Sequence, residues 1–592
     1  MSFHPNDIQQ RGRIAAGFVS LVVGVLAAAF FRTQVLDYQR YAMQSEKNRL
    51  REVPLPAPRG PILDRHGYII AENIPGYTVS LFPASSDSLR SELRRMAALV
   101  PLDSSDIEQI VRRHRQDPVR PAVVLSNATF DQVSVLEEHR SEFPSLVIQT
   151  APRRYYPDGP AVAAIVGYIG EISDAELSSP VFRDAGYRAG QQVGKAGLEK
   201  QYELSLRGRE GSRFVEVDAR GRVVREQGAR PDLEPLPGAA LRTNIDLDLQ
   251  RFVAALFGDT LQGAAVAMDP TTGEVLALHS SPSYDPNRFV GGVPAAYYRQ
   301  LLSDPRRPLY NKAIQGKYPP ASTFKLATAV VAMQEGLVSL DERMPVPCRG
   351  GYMFGTRYFR CWEKRGHGAL TLAEAIEKSC DTYFYQLGLR VTLARLVAGG
   401  IALGFLEKSG IDLPSEVAPD WPRDASDYFN RKYGPRGWTN AVTLNLAIGQ
   451  GENAQTLINM TRFYTALATD GYLAVPRIVH DSVRRERVLA LDSRQFTELR
   501  EALFGVVSSR GTAASAAVRG VEIAGKTGTA QNPHGRDHAW FVGFAPKDKP
   551  EIVVGVFVEF GEHGYFAARL ASRIVAHYLK RPAIVPVNTL GG

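Results

Sequence analysis

The chain has 592 residues, 44% hydrophobic and 22% charged, which is long enough for several domains and excludes wholesale disorder. A mean hydropathy of −0.17 excludes a polytopic membrane protein. The 70 basic and 62 acidic residues leave a formal charge of +8, with no basic block that would demand nucleic acid.

Ile14–Phe31 is an 18-residue run without a charge. As a helix it spans about 27 Å, close to the ~30 Å of a bilayer core. Arg11 and Arg13 precede it and Arg32 follows, so residues 1–13 read as a cytoplasmic tail and the remainder as external. A cleavable signal peptide is the alternative, because Ala27-Ala28-Ala29 resembles a small-residue cleavage site. Pro54, Pro56, Pro58 and Pro61 mark 32–60 as an extended linker. Asp64-Arg65-His66-Gly67 predicts a hairpin turn entering a strand. Residues 85–145 carry Leu, Arg and Glu at helical spacing, and 190–230 are rich in glycine and charge. Leu241–Gln250 leads into a helix through Phe257. The apolar runs Ala264–Met268 and Val275–Leu278 flank Asp269–Gly273 and predict an antiparallel hairpin. Ala539–Phe544 and Ile552–Phe560 flank a Pro546–Pro550 turn, and 566–580 form a helix with Phe566, Leu570, Ile574 and Tyr578 on one stripe. A sheet made from both ends of one domain, with helices between, fits an α+β or α/β architecture.

Ser322-Thr323-Phe324-Lys325 follows Tyr318-Pro319-Pro320. Residues 322–335 read as a helix, which puts Ser322 and Lys325 on one face. A serine hydroxyl becomes a nucleophile when a neighbouring neutral lysine takes its proton. A helix N-terminus offers N–H groups to a developing oxyanion. Alone this motif is most often an ordinary helix turn. It is joined by Ser379-Cys380-Asp381 and by Lys526-Thr527-Gly528-Thr529. Lys526 and the threonine hydroxyls suit a substrate carboxylate, and three such motifs in this order are far more specific together.

The set resembles the penicilloyl-serine transferases, which share a β-lactamase-like catalytic fold. Arg59–Gly67, Gly194–Glu199 with Tyr202 and Leu206-Arg207-Gly208, Gly449-Gln450-Gly451 and His538–Pro546 are similar to class B penicillin-binding proteins. Asp381, where the wider superfamily has Asn, matches their elongation-type branch, the penicillin-binding protein 2 group; the septal branch usually has Asn. The resemblance implies an α+β architecture: one transmembrane anchor (14–31), an elongated α+β pedestal of the dimerisation type (61–240), and a transpeptidase domain with antiparallel sheet and helices (241–585). It implies an inner-membrane, single-pass protein with a periplasmic catalytic domain. The implied activity is peptidoglycan D,D-transpeptidation for cell elongation, inhibited by β-lactams. In the implied roles Ser322 is acylated, Lys325 is its base, and Ser379 and Lys526 relay protons or hold charge. Thr527 and Thr529, with Gly528 between them, bind the substrate carboxylate, and the N–H groups of Ser322 and Thr529 form the oxyanion hole. Asp381 accepts hydrogen bonds only when ionised. Implied partners are peptidoglycan stem peptides, a RodA-type membrane glycosyltransferase and the scaffold MreC. A septal transpeptidase, a D,D-carboxypeptidase, a β-lactamase and a non-enzymatic sensor or scaffold remain alternatives.

Cys348, Cys361 and Cys380 are all the cysteines, and with His367 they are spaced C-x12-C-x5-H-x12-C. Three thiolates and an imidazole suit a closed structural Zn2+ site. A Cys348–Cys361 disulfide, or three unrelated thiols, are the alternatives. Cys380 lies inside the second motif, and the resemblance also implies zinc at this place. Trp540, Phe541 and Phe544 read as core, and His534 and His538 as loop or core.

Overall fold

The computed structural model describes residues 5–39, 41, 50–82, 85–116, 120–217, 223–225, 231–508 and 511–580. The expected tail, linker, glycine-rich stretch and catalytic domain therefore lie partly outside the described residues. Pro5–Phe31 is one helix, and Gln9–Leu36 is long and apolar enough to cross a membrane, with mean hydropathy 2.5.

The chain divides into two compact units, each made of separated segments. The first holds Pro75–Arg153 and Gly208–Pro237 together with the residues up to Pro58. Its three-stranded antiparallel sheet pairs Leu50–Leu55 with Gly211–Val217 and that strand with Val223–Arg225. The proline-rich stretch is thus extended, as expected, but its first part is a paired strand. The region 85–145 is not wholly helical. Helices Ser86–Met96, Ser104–Gln116 and Phe130–Glu138 are interrupted by the strand Ala122–Ala128. Its Val123-Val124-Leu125 core is too short to show a period against flanking helices. Leu89, Leu93, Ile110, Val111 and Leu136 pack on Val79, Leu81 and Val124 of the strands.

The second unit comprises Arg59–Ile74, Arg154–Arg207 and the chain from Gly238 onward. Asp64 makes the predicted turn: its carboxylate accepts from the N–H groups of His66 and Tyr68, both at 2.8 Å. Gly67 takes the left-handed backbone there, φ 93°. The central sheet has five antiparallel strands: β1 (Gly263–Met268), β2 (Val275–Ser281), β3 (Ala524–Ala530), β4 (His538–Ala545) and β5 (Ile552–Val558). Their order is β2-β1-β5-β4-β3, so the first hairpin and the last strands join as expected. Every residue of β1, β2, β4 and β5 is buried, because helices cover both faces. Each fully buried Val, Ile or Phe contributes roughly 1.5–3 kcal/mol. Trp540, Phe541 and Phe544 lie in this core, and His538 is buried on β4 while His534 is in an exposed turn. β3 is left at one edge, and the helices around it carry the site: α1 (Lys325–Gln334), α2 (Leu372–Glu377), α3 (Asp381–Val391), α4 (Ser493–Val507) and α5 (Gly564–Tyr578).

Candidate active site

Ser322 does not begin an α-helix. It sits in a 3-10 turn, Ala321–Phe324, from which α1 starts at Lys325. Ala321 is forced to φ 50°, and its N–H donates to Gly449 O at 2.9 Å. Gly449 is required there: it has φ 74°, and a Cβ would lie 2.2 Å from Ala321 O. Lys325 N–H donates to Ser322 O, which keeps the two side chains one turn apart. Gly528 brings the edge strand to this turn, since a Cβ on it would meet Pro320 O at 2.9 Å.

Lys325 is fully buried, and its Nζ donates to Ser379 O at 2.8 Å, Ser379 Oγ at 3.1 Å and Asp381 Oδ1 at 2.8 Å. The first and second motifs, 54 residues apart, therefore meet at one ammonium. Burial raises the Asp381 pKa above the ordinary carboxylate value, and Lys325 opposes that rise. Lys526 is fully buried on β3 and donates to Thr527 O at 3.1 Å. Burial, then the field of Lys325, holds its pKa well below that of an ordinary lysine. The third motif thus lies within electrostatic reach of the first two. Thr529, the exposed residue of β3, accepts from Gly564 N–H at 3.2 Å, where α5 begins.

Two contacts were not legible from the motifs. Thr512 Oγ1 lies 2.6 Å from Thr527 Oγ1; only the turn residue Gly511 beside it is a sequence signal. Trp362 donates its N–H to Asp381 Oδ2 at 3.1 Å. Its position next to Cys361 is the one hint.

The ligand atoms of Cys348, Cys361, His367 and Cys380 lie within 4.8 Å of one another. Cys348, Cys361 and Cys380 are free thiols, so the expected Cys348–Cys361 disulfide alternative is not the arrangement here. His367 Nδ1 is 3.6 Å from both Cys348 Sγ and Cys361 Sγ. The Cys380 thiol, by hydrogen bonding to Cys361, holds the Cys361 pKa far below an ordinary thiol value. Burial opposes charge on His367, yet its hydrogen bonds with Cys361 and Cys348 raise its pKa.

Residues 263–580 match the family model described as penicillin binding protein transpeptidase domain, and 54–243 match that of the penicillin-binding protein dimerisation domain. The peptidoglycan D,D-transpeptidase MrdA of Acinetobacter baumannii is 34% identical, over 99% of this chain and 91% of that protein. A Helicobacter pylori complex of penicillin-binding protein PBP2 with MreC has TM-score 0.77 and 28% identity, covering 90% of this chain and 99% of that one. A structure described as the structural coordination of polymerization and crosslinking by a peptidoglycan synthase complex has TM-score 0.70 and 31% identity, covering 98% and 100%.

Proposed function

The chain belongs to the class B penicillin-binding proteins, and from that membership we propose that Ser322 is the residue acylated in its peptidoglycan D,D-transpeptidase reaction. The enzyme is of the elongation type and forms stem-peptide cross-links. The observation that carries the site assignment is the buried Lys325 ammonium, 2.8–3.1 Å from Ser379 and Asp381 and one turn from Ser322.

Ser322 Oγ attacks the carbonyl carbon of the penultimate D-alanine. Lys325 spends all three donors in the resting geometry, so it accepts the Ser322 proton as it yields one of its own. That proton passes to Ser379 Oγ while Ser379 protonates the departing nitrogen. D-Alanine leaves and an ester remains on Ser322. An amine from a second stem peptide then attacks the ester, and the relay runs backward. Lys526, Thr527 and Thr529 hold the terminal carboxylate, with Gly528 allowing β3 to approach Ser322. The N–H groups of Ser322 and Thr529 take up the oxyanion. A β-lactam enters the same path, but its leaving nitrogen stays tethered and its ester persists. Ser322→Ala is expected to abolish labelling by a fluorescent penicillin; persistent labelling would sink the assignment.

Cys348 Sγ, Cys361 Sγ, His367 Nδ1 and Cys380 Sγ would hold a structural Zn2+. A tetrahedron with Zn–S about 2.3 Å and Zn–N about 2.0 Å needs an S to N spacing of about 3.5 Å, which the two 3.6 Å distances fit. Bound there, zinc supplies crosslinking of the loop behind Ser379 and Asp381 and no step of the chemistry. Metal analysis should return near one zinc per chain, lost in Cys361→Ser. Zinc-free protein with three titratable thiols, purified without chelator, would count against it.

The N-terminal helix is the proposed anchor, with the catalytic unit on the periplasmic side, supported by Arg11 and Arg13 before the apolar run. Protease added to intact spheroplasts should cleave the body, and protection of the body would refute this topology. Partners of the dimerisation region are proposed by likeness to the PBP2–MreC complex and the synthase complex. They are MreC and a RodA-type glycosyltransferase, and co-purification from membranes tests both.

A further inference from the structure

The turn that carries Ser379 is a helix ending of uncommon composition. α2 stops at Glu377 with Lys378 as its cap. Ser379 N–H donates to Ile376 O at 3.2 Å and Cys380 N–H to Ala375 O at 3.0 Å. This pair of bonds is the Schellman ending, in which the residue after the cap takes a left-handed backbone and is usually glycine. Here that residue is a serine at φ 53°. A Cβ makes such a conformation costly, and it persists only where its surroundings hold it. Glycine would relieve the cost but would remove the hydroxyl that Lys325 meets at 3.1 Å.

Trp362 supplies the hold. Its indole Nε1–H donates at 3.1 Å to both Lys378 O and Ser379 O. The Ser379 carbonyl thus receives Lys325 Nζ and the Trp362 indole together. The Trp362 N–H fixes Asp381 Oδ2, and its ring meets His367 edge-on with centroids 5.2 Å apart. Trp362 is 55% exposed, so burial in a core does not explain a tryptophan here. Phenylalanine would cover the same neighbours without the donor.

We infer that Trp362 is a positioning residue for acyl transfer: its indole N–H holds the Ser379 peptide in the left-handed turn that aims Ser379 Oγ at Lys325. This rests on the acyl-transfer reading of the site, which Ser322→Ala labelling tests separately. The experiment compares full-length parent, Trp362→Phe and Trp362→His by stopped-flow acylation with a fluorescent penicillin, resolving the acylation rate constant from the binding constant. Phe keeps the ring and removes the donor. His places a ring N–H two atoms from the ring's attachment, as the indole does. The Phe variant should acylate about 10- to 100-fold more slowly with binding changed less than about threefold, the size of a lost positioning bond. The His variant should recover most of the rate. Acylation by the Phe variant within about twofold of the parent would overturn the inference, as would a loss carried by the binding constant. A His variant as slow as Phe, or melting points of both variants more than about 5 °C below the parent, would assign Trp362 to packing instead and overturn it equally.

Discussion

Two buried charge clusters lie in the same compact unit and are built on opposite terms. Around Arg59, two guanidiniums face two carboxylates. Arg59 bonds Glu199 at 2.5 Å and Glu203 at 2.6 Å, and Arg154 bonds Glu199 at 2.7 Å. The Tyr187 hydroxyl bonds the remaining carboxylate oxygen, Glu203 Oε1, and the Tyr156 hydroxyl and Gly194 N–H add second donors to Glu199 Oε1 and Glu203 Oε2. Burial works against charge on Arg59, but Glu199 and Glu203 outweigh it and raise its pKa. At the candidate active site Asp381 pairs with Lys325 and acts on Lys526 only from a distance, and among the described residues Lys526 makes no ion pair of its own. A balanced network is fixed by its own pairs. The unbalanced one lacks a negative charge, and the terminal carboxylate of a stem peptide or a β-lactam would supply it.

The largest effect expected on this contrast is Lys325→Met. It removes the proposed base and leaves Asp381 buried without its partner, so penicillin acylation should fall about 10³-fold. A rate within tenfold of the parent would break the proton relay. Next is Glu199→Gln, which leaves the buried Arg154 without its carboxylate and Arg59 with Glu203 alone. Urea unfolding should lose about 3 kcal/mol, while folded protein acylates at the parent rate because the network lies outside the relay. A neutral result would show that the network is not fixed by charge balance.

Lys526→Met should act in the reverse direction on stability. Removing an amine whose charged form burial and the field of Lys325 disfavour should stabilise the fold while acylation collapses. The sign with pH follows from the depressed folded pKa. Below that value both folded and unfolded Lys526 are protonated, and the fold bears the full penalty. Between it and 10.5 the unfolded chain holds the proton and the folded chain does not, so parent stability rises with pH. The variant's advantage should therefore shrink as pH rises through that window; a constant advantage would contradict it. The smallest effect is Lys312→Met. Lys312 is 1% exposed and donates to Arg306 O at 2.8 Å, and burial pushes its pKa down to about 8. The charge penalty that Lys312 imposes at pH 7 is about 3 kcal/mol, offset by about 2 kcal/mol for its charged bond to Arg306 O, so the variant's net advantage of about 1 kcal/mol should fade between pH 8 and 10.5 with labelling unchanged.

Much of the site was legible because its chemistry is local in sequence. Ser322 and Lys325 are one turn apart, and Lys526–Thr529 lie on one short strand, so residue type and spacing carry the meaning. The C-terminal strands were legible as apolar runs between turn residues. The 3-10 start at Ser322 was not, because it depends on Gly449, 127 positions after Ser322 in the numbering. Strand Ala122–Ala128 was hidden by helical periodicity on both sides. Arg59 and Glu199 were noticed as parts of separate segments, but nothing in either segment says that they pair across 140 residues. Thr512 meets the motifs through one hydrogen bond and Trp362 through bonds to Asp381 and Ser379, and contacts made only on folding leave no pattern in the chain.

Sequence alone determined the apolar N-terminal segment, the serine and lysines of the three motifs, and the thiol and imidazole set, because hydropathy, residue chemistry and short spacing are properties of the chain itself. Tertiary structure decided how those groups are charged. Lys325, Lys526 and Asp381 come from three distant segments, and their mutual effects depend on separation and on exclusion of water. Neither quantity exists until β3, the turn at Ser322 and the α2–α3 junction are brought together.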